Sequence, residues 1–405
     1  MHVLITLAGF RVGGSETYTL TVAEQLEVLG HRVTVYAPQA TDAGAELAAA
    51  RKIALVTGPA PPLDGVDAVL SQDGASACMI ASRRSELRQV FVTHGLTGQE
   101  RLPAQLRPTP PVVVLNDRMA GYVAAGAPRP KLIRLHQPID LMRYKARGPT
   151  NPRARRVLAL GNYLEESRRD MLDGVCRELD LELVQLGASS TTKINPEVAI
   201  AEVDIVVGYG RVVLEAMAMG RAAYVWDYKG GDGWVTPESY PALESSGFNG
   251  AATGAIIDAD RLRSDLSEYR PELGQLGADL VALNHSAAIH TEHLVELLES
   301  SESPAPADGL EAMAVLIRTE ARAAERAFGL DHELRRVIVE REELRERAIE
   351  ATRRIEQDRD RADRKIEEER RRAERAEAGL AEVLGSRSWR LTEPLRTGRL
   401  RRGRR

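Results

Sequence analysis

The chain has 405 residues, 43% of them hydrophobic, and a formal net charge of −4. That length exceeds one ordinary core and predicts two or more domains. An aromatic content of 4% argues against a stacking platform for nucleic acid, and two distant cysteines, Cys78 and Cys176, argue against a disulfide framework or a cysteine-rich metal site and fit a reducing cytoplasm.

Residues 1–10 are apolar but short, without a basic leader or a small-residue cleavage site, so they read as a first strand rather than a signal peptide. No apolar run approaches the roughly 18 residues of a membrane span. From residue 2 onward, strand and helix signals alternate. A buried-type strand is expected at 2–7, a turn at Gly13-Gly14, and a helix from Ser15 to about Leu29, closed by Gly30. Further strands are expected at 31–36, 68–71, 89–93, 112–115 and 132–135. Alternation of this kind predicts an α/β doubly wound parallel sheet.

Residues 147–155 (RGPTNPRAR) are rich in Pro and Arg and read as a linker. A second alternating series follows, with strands at 156–160, 181–186, 204–207 and 222–226, helices between them, and a last helix near 276–298. Two Rossmann-like halves facing a cleft are therefore expected, at residues 1–145 and 146–298. Residues 299–309 form a second linker. Residues 310–385 are dense in Glu, Arg and Ala and predict a long helix, either a homo-oligomeric coiled coil or a solvated helix held by Glu–Arg pairs. In the tail, 386–405, eight arginines face the single acid Glu393, with Trp389 among them. Such a tail suits an anionic membrane surface, or is a disordered solubilising segment.

In doubly wound sheets ligands bind beyond the carboxyl ends of the strands, and the unusual residues fall there. Gly13 and Gly14 follow the first strand, His94 follows the strand at 89–93, and Arg168 and Arg169 come shortly after the strand at 156–160. Gly208-Tyr209-Gly210-Arg211 breaks the apolar run 205–207 and opens a helix carrying Glu215. A glycine turn at a helix N-terminus is an anion site, and a carboxylate inside that helix can accept sugar hydroxyls. Glu215 sits among apolar neighbours and so must find a partner. Gly230, Gly231, Asp232 and Gly233 form a candidate donor loop after the strand at 222–226. Each has a plainer reading: a tight turn at Gly13-Gly14, a core histidine at 94, a solvated face at 168–169, a turn-favouring acid at 232.

Four stretches resemble glycosyltransferases of the GT-B fold, in the family-4 group: Gly13-Gly14-Ser15-Glu16, Val92-Thr93-His94-Gly95, Gln137-Pro138-Ile139-Asp140, and above all Leu214-Glu215-Ala216-Met217-Ala218-Met219-Gly220. The resemblance covers roughly residues 1–298, and residues 387–396 resemble a tail of transferases in bacterial surface-polysaccharide assembly. It implies that Glu215 binds the donor ribose and that the amides of 208–211 and 13–14 surround the donor diphosphate. It implies Arg168 or Arg169 in place of the family's diphosphate-binding lysine, and a catalytic His94 beside the transferred sugar that helps position or activate the reacting groups, with residues 1–145 on the acceptor side and 146–298 on the nucleotide-sugar side. The implied donor is a nucleoside-diphosphate sugar, with no cofactor, no metal and no nucleic acid. The implied acceptor is a glycan or a lipid-linked glycan, and the implied location is the cytoplasm or the inner membrane face.

The pattern departs from the family at two places. Val207 stands where a glutamate eight residues before Glu215 is expected, and Asn162 where an arginine is expected. Arg211 is then a candidate replacement cation. The departures keep two other readings open: a nucleotide-sugar epimerase on the same fold, and a degenerate transferase that acts as a scaffold through its coil.

Overall fold

The computed structural model describes residues 1–95, 97–126, 129–146, 151–161, 166–187, 195–227, 230–305 and 307–391. It divides into two units, Met1–Ala323 and Ala324–Arg405.

The first half of the first unit contains β1 (His2–Thr6), α1 (Gly14–Val28), β2 (Arg32–Ala37), α2 (Asp42–Ala50), β3 (Leu55–Thr57), β4 (Ala68–Ser71), α3 (Gly74–Arg83), β5 (Arg88–Thr93), β6 (Val112–Val114), α4 (Asp117–Ala124) and β7 (Leu132–Arg134). Its seven strands run parallel in the order β3-β2-β1-β4-β5-β6-β7. Strands buried on both faces read as continuous apolar runs. The period of two is still visible: Val3 and Ile5 join one core, and Leu4 joins Tyr36, Val69 and Ile80 in the other.

The second half contains β8 (Arg156–Leu160), α5 (Glu166–Glu178), β9 (Glu182–Leu186), α6 (Pro196–Ala201), β10 (Ile205–Gly208), α7 (Arg211–Ala218), β11 (Ala222–Asp227), β12 (Gly230–Trp234), α8 (Tyr240–Ser246), α9 (Ala259–Ser267) and α10 (Glu272–Asn284). Strand order is β12-β11-β10-β8-β9, parallel except for the antiparallel pair β11–β12. In both sheets the order reverses beside the first strand, between β1 and β4 and between β8 and β10. Those are the points where such sheets open a ligand crevice. The α/β architecture with two parallel-rich sheets expected from the sequence is present.

Two expectations are corrected. The last helix, expected near 276–298, is two helices, α10 and α11 (Ala287–Ser300), parted at His285 and Ser286, and α11 packs against α1, β4 and β5. Its Leu294 and Leu298 are buried in the first half's core. The chain thus crosses between halves twice, and the crossings lie side by side: Ile139 N–H donates to His285 O at 2.7 Å, and Ala287 N–H to Ile139 O at 3.1 Å. The second correction concerns Gly230–Gly233, which form the edge strand β12 rather than an open loop. A Cβ at Gly231 would lie 2.3 Å from Ile257 Cδ1, so glycine there permits close packing of the hairpin on the core.

The long helix α12 (Leu310–Gly385) starts within the first unit. Leu310 and Ala314 are buried in the core around α3, and Arg318 Nη1 donates to Pro59 O at 2.9 Å. In the second unit, α12 carries Glu–Arg pairs one turn apart, such as Glu350–Arg354 at 2.7 Å and Glu367–Arg371 at 3.0 Å, and α13 (Arg387–Leu391) follows. Leu334, Ile338, Ile355 and Ile366 are exposed in the single chain. Among the described residues no helix is long and apolar enough to cross a membrane.

Candidate functional site

In the first half, Gly13 caps α1 with extended backbone, and Gly14 has open space where a side chain would sit. Glu16 folds back on its own turn. It accepts from Arg11 N–H at 3.2 Å and from Ser15 Oγ at 2.9 Å, which keeps the loop's acid turned to its own backbone. Tyr18, two residues on, is fully buried. His94 follows β5, and its ring meets that of Tyr18 edge-on, with centroids 4.6 Å apart. The residue as a whole is half-buried, but its Nε2 is buried and has no hydrogen-bond partner among the described residues. Burial, aided by the Arg211 charge, pushes the His94 pKa down to about 3. A neutral imidazole so weakly basic can exchange hydrogen bonds but is a poor general base near pH 7.

In the second half, Gly208 ends β10. A Cβ there would lie 2.8 Å from Leu160 O and 2.9 Å from Val212 Cγ1, so the turn from β10 into α7 needs glycine. Gly210 has φ +63°, a left-handed conformation that favours glycine, and its N–H donates to Phe248 O at 2.7 Å. Tyr209 lies over Gly161 at the end of β8. Arg168 and Arg169 stand half-buried on the first turn of α5.

The next turn carries the principal difference from expectation. Arg211 Nε donates to Glu215 Oε1 at 2.8 Å, Nη1 to Pro138 O at 2.6 Å, and Nη2 to Thr21 Oγ1 at 3.2 Å. Tyr144 also hydrogen-bonds Glu215. Burial raises the Glu215 pKa, while Arg211 and Tyr144 oppose the rise. The expected ribose ligand and the expected replacement cation therefore satisfy each other. Through Thr21, the guanidinium also ties α7 to α1.

Two more residues have structural tasks. Val207 is 1% exposed and packs with Ile205, Tyr224 and Trp226, so the position of the expected glutamate belongs to the core. Asp232, read as part of a donor loop, accepts from Ala252 N–H at 3.2 Å, Thr253 N–H at 2.8 Å and Thr253 Oγ1 at 2.9 Å. It fixes the loop that follows α8. Asn162, Tyr228, Lys229 and residues 392–405 lie outside the described residues.

Several participants were missed by sequence reasoning. His290 on α11 lies 2.9 Å from the Tyr18 hydroxyl, and Arg143 bridges Glu24 at 3.1 Å and Glu197 at 3.7 Å. Glu24 is paired with Arg51 as well. His136, Glu244 and His285 gather near the crossings with donor atoms within 4.8 Å of one another. By donor type this trio suits a metal. However, Arg134 donates to the same Glu244 oxygen as His136, and His285 uses both nitrogens, on Tyr240 Oη at 2.7 Å and Gln137 O at 2.8 Å. These bonds occupy His136 Nδ1, Glu244 Oε1 and both nitrogens of His285, and the cluster reads as a clamp on the crossings.

No family model matches the sequence, and no curated protein matches it. Solved structures do. A glycosyltransferase from Rickettsia africae ESF-5 aligns with a TM-score of 0.50 at 12% identity, over 74% of this chain and 97% of that one. The pneumococcal O-GlcNAc transferase GtfA, solved with UDP and GlcNAc, aligns with a TM-score of 0.49 at 10% identity, over 74% and 98%. At such identities the likeness is one of fold, and the fold is the GT-B arrangement of two α/β halves.

Proposed function

We propose that the chain is a glycosyltransferase that moves a sugar from a nucleoside-diphosphate sugar to a glycan or lipid-linked acceptor in surface-polysaccharide assembly. One observation carries this reading. Arg211, at the glycine turn after β10, reaches Thr21 on α1, and its charge acts on both Tyr18 and His94. The turn after β10 thus meets the helix that follows β1, and both strands border the points where the order of their sheets reverses.

In this reading the donor diphosphate lies between the turns at 13–14 and 208–211. The bond from the sugar's anomeric carbon to the diphosphate breaks, and the electron pair leaves with the nucleoside diphosphate. The acceptor oxygen bonds to that carbon and gives its proton to an oxygen of the departing diphosphate. Backbone N–H groups at the two helix N-termini, with Arg168 or Arg169, stabilise the departing diphosphate. No resident metal or cofactor enters. Neutral His94 positions a hydroxyl. Glu215 meets the ribose by exchanging one of its present partners for it. The basic tail holds the protein at the inner membrane face, and the long helix serves as spacer or oligomerisation coil.

The buried Arg211–Glu215 pair and the core position of Val207 favour one rival, a scaffold that has lost transfer. A thermal-shift screen with uridine, guanosine, adenosine and cytidine diphosphates separates them. The transferase reading expects one base to raise the melting temperature of the wild type and not of Glu215→Ala. No response from any base favours the scaffold. Incubation with the matching sugar donor alone tests for an epimerase, which would return the epimerised sugar.

A further inference from the structure

Tyr18 stands between two imidazoles. Its ring lies 4.6 Å from that of His94 at 67° and 5.5 Å from that of His290 at 86°. Its hydroxyl is 2.9 Å from His290 Nε2, and His290 Nδ1 is 2.9 Å from the backbone oxygen of His136. A carbonyl oxygen can only accept, so His290 carries its proton on Nδ1. Nε2 then offers a lone pair, and the Tyr18 O–H donates to it. Burial pushes the His290 pKa to about 3 and the Tyr18 hydroxyl well above its usual range, so neither group ionises near neutral pH. The direction of this chain of bonds is fixed.

His94 lacks such an anchor at Nε2, which is buried with no partner among the described residues. A buried polar atom without a partner is costly and calls for a reason. Here packing against the Tyr18 ring holds the imidazole in place. We propose that Tyr18 is a positioning residue: its ring, fixed through His290, orients His94 so that Nε2 is left for a hydroxyl of the bound sugar or acceptor. This rests on the reading of His94 as a residue of the reaction site. Tyr18 is 272 positions from His290 in sequence, and only the return of α11 onto the first half brings them together.

The test compares wild type with Tyr18→Phe, His290→Leu and His290→Gln. The glutamine amide can still accept from Tyr18 and donate to His136. Release of nucleoside diphosphate from uridine-, guanosine- and adenosine-diphosphate sugars is measured together with calorimetric binding of the free diphosphates. Tyr18→Phe and His290→Leu should lower kcat about tenfold or more, as a small misplacement near the chemistry does, while KM and diphosphate affinity stay within about twofold. His290→Gln should restore most of kcat. Equal kcat in wild type and Tyr18→Phe overturns the proposal, as does a loss confined to diphosphate affinity. The imidazole signals of 15N-histidine-labelled protein give a readout independent of turnover. The His94 signals should change or double in Tyr18→Phe and in His290→Leu, and unchanged signals in both overturn the proposal even in a protein with no transfer activity. Absence of turnover and of diphosphate binding in the wild type would overturn the transferase reading instead, leaving the NMR comparison to decide the role of Tyr18.

Discussion

Arg211 and Glu215 form a buried ion pair one helical turn apart on α7, with Nε donating to Oε1 at 2.8 Å. Breaking a buried pair from one side leaves a charge without compensation and costs about 3–5 kcal/mol. Arg211→Ala should therefore lower stability by about that amount, read from the urea midpoint at constant slope. Replacing both groups, as Arg211→Met with Glu215→Leu, should recover much of the loss. If Arg211→Ala instead leaves stability unchanged and weakens only diphosphate binding, the guanidinium serves the donor and not Glu215.

The buried histidines predict a pH dependence. Burial lowers the pKa of His290 to about 3, and that of His285 to about 4. Their unfolded values lie near 6.5. Below that value the unfolded chain takes up protons that the folded chain refuses, so stability falls as pH falls. Glu244 acts in the same direction at lower pH. Burial works to raise its pKa, but hydrogen bonds from His136 and Arg134 overcome this and hold it below the usual carboxyl range. Its contribution is present above the unfolded carboxyl value and is lost as pH falls through the depressed one. Asp73 and Glu215, held above that range by burial, oppose both effects. His290→Gln isolates one term. Between about pH 5 and 6 its stability should fall less steeply than that of the wild type, by up to about 1.4 kcal/mol per pH unit. Equal slopes in urea titrations would show that His290 is already protonated in the folded state.

Much of this was legible in the chain. Parallel strands such as 2–6 and 205–208 read as apolar runs because both faces are covered, and Gly208 and Gly210 marked the turn because no other residue fits its contacts and φ. The Arg211–Glu215 pair was written in its spacing of four, although its direction inward was not, since a charged pair at that spacing is more often solvated. The strand β12 was hidden because glycines carry no β signal, and only the packing of Ile257 and Trp226 on Gly231 reveals it. Tyr18 and His290 had no local signature. Their meeting depends on which half α11 joins, and a helix pattern gives its apolar face but not its partner.

Asp232 separates a structural acid from a donor-loop acid. It accepts three hydrogen bonds from residues 252 and 253, and bonds to a charged group contribute about 1.5–3 kcal/mol each before losses elsewhere. Asp232→Ala should cost about 2–3 kcal/mol of stability, below the simple sum because water re-solvates the freed amides. Nucleoside-diphosphate affinity, measured by calorimetry well below the melting temperature, should stay unchanged. A large loss of affinity at unaltered stability would return this acid to the donor site.

The basic tail predicts membrane attachment separable from the nucleotide site. Residues 386–405 carry eight arginines and one glutamate, with Trp389, Leu391, Leu395 and Leu400 among them. Each cation near an anionic surface is worth about 1 kcal/mol, so the full set suffices for binding to vesicles rich in phosphatidylglycerol. Deletion of 386–405 should abolish co-sedimentation with such vesicles and leave nucleoside-diphosphate binding intact, because the glycine turns at 13–14 and 208–211 lie elsewhere in the chain. The attachment should also weaken in about 1 M salt, where the screening length shrinks to about 3 Å, and should be absent on vesicles of neutral lipid alone. Equal sedimentation of full-length and shortened chains would move the membrane contact away from the tail. Binding that survives high salt would assign it to Trp389 and the leucines rather than to the arginines.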